Sequence, residues 1–388
     1  MMDEFEDIRP YRDDEVEAVV KNLYQQDELI LGMAKFRFPK LFESSPIIAK
    51  SLVRAFVKKK AKSIKTILDI QHIVGEELTK ILAKTAGKIT TSGLGQLSKE
   101  KSYLFIGNHR DISMDPALVS YLLHNANHNT VEIAIGDNLL KKQYISDLMK
   151  LNKSFIVKRS LIGREKLFAL KHLSRYIHHR IKSGNSIWIA QKEGRAKDGI
   201  DFTEPAIIKM LHLGSHTDNK KMKLSDAINS LNIIPISISY ELDPCDSMKA
   251  EELYMIRNNE TYIKDEDTDQ KSIVTGLLNP KGNIHISFGE KVVTMKEDAS
   301  EIANEIDNQI IERYLLQAPN YIAYEKLYAS DSSIGPKLED LTIEVEIRKK
   351  DRDNFENRLS LINEKHQPIL LAMYANPIIS KLKLHTQK

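Results

Sequence analysis

Apolar residues recur at helical spacing from about residue 12 to about residue 85, in DEVEAVVKNLYQQDELILGMAKF and again from Ile47 onward. That period predicts amphipathic helices. Gly87, Gly93 and Gly95 interrupt it. From about 88 to 290 short apolar runs follow one another: KITTS, YLFIG, VEIAIG, FIVK, SIWIA, NIIPISISY and NIHISF. Helical stretches at 115–128, 138–150, 164–183 and 203–214 lie between them. In the 164–183 stretch Leu167, Leu170, Leu173, Ile177 and Ile181 make one apolar stripe, which Gly184 closes. Strands alternating with helices predict an α/β layer structure, a sheet buried between helices. After about 298 the pattern is helical again, and SDSSIGPK at 330–337 reads as a loop before a charged C-terminal helix. The expected organisation is a helical region over 1–86, an α/β domain over 87–297 and a second helical region over 298–388.

Composition narrows the class. The chain has 388 residues, more than one typical domain, with 41% hydrophobic and 29% charged residues. A single cysteine, Cys245, excludes an intramolecular disulfide framework and a multi-cysteine zinc site, and fits a reducing compartment such as the cytosol. In its PCD loop it reads as a bystander. His178 and His179 are adjacent on a helix and point to different faces, which argues against a shared metal. A net charge of +3 gives no reason to expect nucleic acid. The acidic start, MMDEFEDIRP, lacks the basic and apolar parts of a signal peptide. No run reaches the roughly 18 apolar residues of a spanning helix. The expectation is a cytoplasmic protein that does not span a membrane.

The charge is uneven, however. Residues 44–65 hold seven Lys or Arg and no acid. Lys50, Arg54, Lys58 and Lys62 lie four apart on one helix face, with Ile48, Leu52, Phe56 and Val57 on others. Three readings follow. The helix packs by its apolar side with its basic face in water, or it lies on an anionic membrane surface, or it binds another acidic partner. The second would make the protein peripheral on the inner face of the cytoplasmic membrane.

Four segments carry chemistry, and three of them end predicted strands, where α/β sheets collect active-site residues. YLFIG runs into Asn108, His109, Arg110, Asp111 and Asp115 before a helix opening with Pro116. A histidine can take a hydroxyl proton, and a nearby carboxylate can fix its tautomer. The plainer reading makes Asp111 or Asp115 a helix cap. FIVKRS delivers Lys158 and Arg159 side by side. SIWIAQKEGRAKDG delivers Glu193, Gly194, Arg195 and Lys197. There a glycine permits a tight turn while a guanidinium forks onto an anion, unless Arg195 pairs with Glu193. Pro235 interrupts NIIPISISY and marks a bulge or a strand edge. Trp188, within SIWIA, reads as core.

In order, NHRDISMD, FIVKRS, EGRAKDG and IIPISISY resemble the four sequence blocks of the glycerolipid acyltransferase family, which includes the 1-acylglycerol-3-phosphate acyltransferases. The resemblance covers about residues 88 to 240. It implies a mixed sheet covered by helices, to which the periodicity adds helical regions at both ends. It makes His109 the general base on the acceptor hydroxyl and Asp115 its orienting carboxylate. Arg159, Glu193, Gly194 and Arg195 would shape the acceptor site, with the arginines on its phosphate. Asn108, Arg110, Lys158 and Lys197 join the substrate-binding set, and Pro235 falls on the acyl-chain side. The donor would be acyl-CoA or acyl carrier protein, the acceptor a phosphate-bearing glycerolipid precursor in phospholipid biosynthesis, with no metal or other cofactor. One departure stands out. Five residues separate His109 from Asp115, where the family has four, so Asp111 is a rival for the carboxylate role.

Other classes fit less well. His109-Arg110-Asp111 resembles the start of a kinase catalytic loop, but Pro116 stands where that loop needs a metal-binding Asn. No Gly-x-Ser-x-Gly elbow of a serine hydrolase occurs. A catalytically degenerate homologue acting as a peripheral membrane-binding protein is the alternative to an enzyme.

Overall fold

The structure is a computed structural model and describes residues 3–217, 220–258, 267–343 and 345–386. The chain divides into two compact units, Met1–Thr79 with Glu132–Leu173, and Lys80–Val131 with Ser174–Lys388.

The N-terminal periodicity becomes five helices: α1 (Asp13–Leu23), α2 (Asp27–Arg37), α3 (Pro39–Ser44), α4 (Pro46–Ala61) and α5 (Ile67–Thr85). Pro39 and Pro46 open α3 and α4, where a missing N–H costs nothing. Val16, Val20 and Leu23 of α1 pack with Ile64 and Leu151. A separate small core joins α2 to α4 through Ile30, Ala34, Ala49 and Val53. Two i, i+4 pairs with an alanine in each let these helices approach closely. Lys50 and Arg54 of α4 turn to Asp27 of α2. Ile48, Leu52 and Phe56 are left exposed. Of the four apolar residues named for the packed side, Val57 touches this small core; packing by Ile48, Leu52 and Phe56 is corrected, because the buried seam is the narrow Ala49–Val53 edge instead.

The chain then alternates strands and helices: β1 (Ala86–Ser92), β2 (Leu104–Gly107), α6 (Met114–Asn125), β3 (Glu132–Gly136), α7 (Gln143–Leu151), β4 (Ser154–Val157), α8 (Gly163–Lys182) and β5 (Ile187–Ala190). There follow α9 (Pro205–Leu213), the short strands β6 (His216–Thr217) and β7 (Lys220–Lys221), α10 (Leu224–Ser230), β8 (Ile233–Tyr240), α11 (Asp246–Arg257), α12 (Thr268–Leu278) and β9 (Gly282–Phe288). All seven apolar runs named from the sequence are strands. In the second unit the order is β1-β9-β8-β2-β5. Within this sheet, among the described residues, β8 and β9 pair antiparallel and β1–β9, β2–β8 and β2–β5 pair in parallel, so the sheet is mixed. In the first unit β3 and β4 pair in parallel. Every residue of β2 and β8 is buried, as strands covered on both faces require.

Two expectations change here. Pro235 is not at a sheet edge, since β8 has β2 on one side and β9 on the other. Its β9 partner strand ends at Phe288, and beyond it the Pro235 carbonyl accepts the Gly289 N–H at 2.8 Å. The proline's absent donor thus falls where the ladder has stopped. In α8 the apolar stripe is buried only from Leu173 onward, and Leu167 and Phe168 stand exposed on its first turns.

Four helices complete the chain: α13 (Ala299–Glu312), α14 (Ala318–Ser330), α15 (Lys349–Ser360) and α16 (Gln367–Thr386). Tyr321, Tyr324, Phe355, Leu370 and Tyr374 form their core, with Ala250 of α11. No described helix is long and apolar enough to cross a membrane.

Candidate active site

In the second unit buried polar side chains gather where β2 ends, among them Asn108, Arg110, Asp111 and Asp115. The Asn108 side chain acts as a spare peptide there. Its Oδ1 accepts the Ile238 N–H at 2.7 Å, and its Nδ2 donates to the Ile238 carbonyl and to Asp201, both at 3.1 Å. This fastens the start of the loop to β8. The next residue, His109, accepts the Ala196 N–H on its carbonyl at 2.8 Å, and its ring Nδ1 lies 2.8 Å from Asp115 Oδ2.

Asp115 closes the loop on itself. Oδ2 also accepts the N–H groups of Arg110 (2.6 Å) and Asp111 (2.9 Å), and Oδ1 accepts the Tyr240 hydroxyl (2.8 Å). A carboxylate that only accepts makes Nδ1 the donor of the imidazole and puts the lone pair on Nε2. Among the described residues nothing hydrogen-bonds Nε2. The ring stands edge-on to Trp188, centroids 5.5 Å apart.

Asp111 does another job. Its Oδ1 accepts the N–H of Ser113 (3.0 Å) and of Met114 (2.9 Å), the start of α6. Asp115 is thus inside the first turn and Pro116 is the third helical residue, where the sequence suggested a cap and a first position. The short turn 111–113 absorbs the extra residue between His109 and Asp115. Asp111 is fully buried, and that burial, with the Asp115 charge, pushes its carboxyl above the usual range. Its neighbour on α12 has to be a glycine: a Cβ on Gly276 would sit 2.1 Å from Asp111 Oδ2. Cys245 is buried against the same carboxylate, and burial pushes its thiol up to about 11, away from reactivity.

The cations separate into two kinds. Arg110 is buried and holds Asp201 at 2.6 Å and the carbonyls of Ala196 and Gly199. It does not reach Asp111. Lys197 pairs with Glu252. Lys192 lies over the Phe202 ring at 4.1 Å, not against Asp111. Arg195 follows Gly194, whose φ of +77° is left-handed and suits a residue with no Cβ. Its guanidinium donates to the Ser272 hydroxyl at 2.6 Å and makes no ion pair among the described residues. The Ala196–His109 bond ties this Glu193-Gly194-Arg195 turn directly to the histidine. Lys158 and Arg159 follow β4 in the first unit, where Lys158 pairs with Asp7 and the Arg159 N–H donates to Asp137 at 3.1 Å.

Several contributors gave no sequence signal. Lys249 of α11 is buried under the loop, its Nζ on the Arg110 carbonyl at 2.7 Å and on Asp243. Asp243 in turn donates its N–H to the Tyr374 hydroxyl (2.9 Å), which donates to Asp246 (2.7 Å). Arg358 holds Asp246 at 2.6 Å and the Asp243 carbonyl at 2.8 Å. For Tyr240 the one available hint was its place at the end of NIIPISISY.

Comparison with known proteins bears on this arrangement. Residues 88–239 match the acyltransferase family model. Human dihydroxyacetone phosphate acyltransferase is 23% identical over 279 residues, 69% of this chain and 37% of that protein. The bovine protein of the same name is 22% identical with the same coverage. The chain therefore spans little more than a third of the length of these curated relatives. Among solved structures, the 1-acyl-sn-glycerophosphate acyltransferase of Thermotoga maritima is similar at 12% identity and a TM-score of 0.38, covering 73% of this chain and 95% of that one.

Proposed function

We propose, from the premise that the chain belongs through residues 88–239 to the glycerolipid acyltransferase family, that it moves a fatty acyl group from an acyl-CoA or acyl carrier protein thioester to a hydroxyl of a phosphate-bearing glycerol acceptor. The observation that carries the reading is the His109–Asp115 pair at 2.8 Å, with the Glu193-Gly194-Arg195 turn bonded to the same histidine.

The proposed chemistry is direct transfer. His109 Nε2 takes the acceptor's hydroxyl proton as the oxygen attacks the thioester carbonyl, while Asp115 stabilises the imidazolium that forms. The carbon–sulfur bond then breaks, and the leaving thiolate receives the proton from Nε2. No acyl-enzyme is required. Arg195 suits the acceptor's phosphate because, unlike Arg110 and Lys197, it carries no carboxylate partner among the described residues. Glycerol 3-phosphate, its 1-acyl form and dihydroxyacetone phosphate are the acceptors to test.

The test is an acyl-transfer assay of the purified chain with each of these acceptors, their dephosphorylated analogues and both kinds of donor. Transfer to a phosphate acceptor, reduced at least about 100-fold in His109→Ala with an unchanged circular dichroism spectrum, is expected. Near-normal turnover in the folded variant would sink the mechanism, and silence of the wild type on the whole panel would mark a degenerate homologue.

A further inference from the structure

Asp115 is gripped unevenly. Its Oδ2 takes three bonds, from the His109 ring and from the N–H groups of Arg110 and Asp111, all within the loop that the aspartate closes. Its Oδ1 takes one among the described residues, from the Tyr240 hydroxyl at 2.8 Å. A carboxylate held at one oxygen is free to swing its plane about that atom. Tyr240 supplies the second point, and it does so from outside the loop. The residue is 4% exposed. Burial, with the Asp115 and Asp111 charges beside it, pushes the phenol well above its usual range and keeps it a donor.

The sheet explains why a residue of β8 reaches this carboxylate. β2 stops at Gly107, opposite Ile236, whereas β8 continues past that point to Tyr240. Side chains alternate along a strand, so Ile236, Ile238 and Tyr240 share one face. The Asn108 side chain bonds both backbone groups of Ile238, and Tyr240 pairs with Ile284 of β9. The end of β8 is thereby fixed from both edges, while the His109 loop beside it has no strand of its own. A buried carboxylate oxygen that lost its donor would turn to find another, because an unpaired charge is costly there. That turn would take Oδ2 off the line to His109 Nδ1.

We infer that Tyr240 is a positioning residue for the acyl transfer: its hydroxyl fixes the plane of the Asp115 carboxylate from β8, and through it the direction and tautomer of the His109 ring. The role rests on His109 being the base of the proposed reaction. Lys249, the other buried donor brought to this loop, holds the Arg110 carbonyl and not the carboxylate, so the two residues act on different groups.

The experiment compares Tyr240→Phe with the wild type in the acyl-transfer assay. The kcat should fall about tenfold while KM for acceptor and donor stays within about twofold, because the lost group never touches substrate. In an Asp115→Asn background the same substitution should cost less than about twofold, since the carboxylate it acts through is gone. A second arm needs no turnover and keeps the oxygen in place. 3-Fluorotyrosine at position 240 is a more acidic phenol and a stronger donor to Oδ1. It draws charge away from Oδ2, so the His109 Nδ1–H proton signal, assigned by its loss in His109→Ala, should move to higher field. This arm stands even where Tyr240→Phe does not fold. It also separates the role of Tyr240 from the transfer reading, because a chain that transfers nothing still shows whether Tyr240 acts on the His109–Asp115 pair. A folded Tyr240→Phe with unchanged kcat, an equal loss in the Asp115→Asn background, or an unmoved Nδ1–H signal would each overturn the inference.

Discussion

At the scale of single residues, two aspartates four positions apart have been given different work. Asp115 collects the imidazole, two backbone N–H groups and a tyrosine hydroxyl. Asp111 collects the N–H groups that open α6. The proposed mechanism therefore makes unequal demands on them. Asp115→Asn should lose orders of magnitude in kcat, because the amide can turn its NH2 to Nδ1 and favour the wrong tautomer. Asp111→Asn keeps a capping oxygen and relieves a buried carboxyl close to another, so it should keep most of its activity and its stability. Steady-state kinetics and melting of the two variants decide the matter, and a crippled Asp111→Asn beside a normal Asp115→Asn would reverse the assignment of roles. The sequence made His109 and both aspartates legible as candidates, but it could not choose between the carboxylates. The choice depends on a three-residue turn whose path is set by backbone hydrogen bonds, which leave no mark in residue type.

At the scale of elements, helices outside the family-matched segment support the loop that carries His109. Lys249 of α11 is the direct contact, through the Arg110 carbonyl. Lys249→Met would free that carbonyl and remove the cation from Asp243. The expected cost is about 2–4 kcal/mol of stability, the scale of a broken buried ion pair lessened by the partial exposure of Asp243. Below the melting transition kcat should fall several-fold with little change in KM, since the group lost holds the histidine's loop and touches no substrate. Lys249→Arg should restore part of it. A variant with reduced stability and an unchanged kcat would mean that α11 braces the fold and not the site. Elements were the most legible level, since the alternation of apolar runs gave every strand of the main sheet. The failures were local. Pro235 lies inside a paired strand because its neighbour stops one residue short of it. The first turns of α8 are exposed although their apolar spacing matches the buried turns. Spacing reports which residues share a face and not what, if anything, that face meets.

At the scale of the whole molecule, stability should carry a signature from Asp307. This side chain on α13 accepts the Thr203 hydroxyl at 2.6 Å, and burial pushes its carboxyl from the ordinary 3.8 up to about 6. Between these values the folded chain binds a proton that the unfolded chain has released. That contribution to stability is present in full below about 4 and is lost as pH rises through about 6. Asp307→Asn retains the acceptor oxygen and removes the charge. It should therefore be more stable than the wild type at pH 7, by about 2 kcal/mol in order of magnitude, and nearly equal to it at pH 4. Urea midpoints at the two values measure this, and a constant difference between the proteins would show that Asp307 does not titrate in that range. Nothing in the sequence around Asp307 signals the shift, because burial is a property of the assembled chain. The chain of bonds from Arg358 and Tyr374 to the His109 loop has a consequence for how the protein is made. Translation delivers His109 and Asp115 early, but the residues that hold Asp243 and Asp246 come more than 200 positions later. A nascent chain from which Tyr374 has not yet emerged carries the His109–Asp115 pair without this brace, so the loop gains its full set of bonds only after the last strand of the sheet, ending at Phe288, has been made.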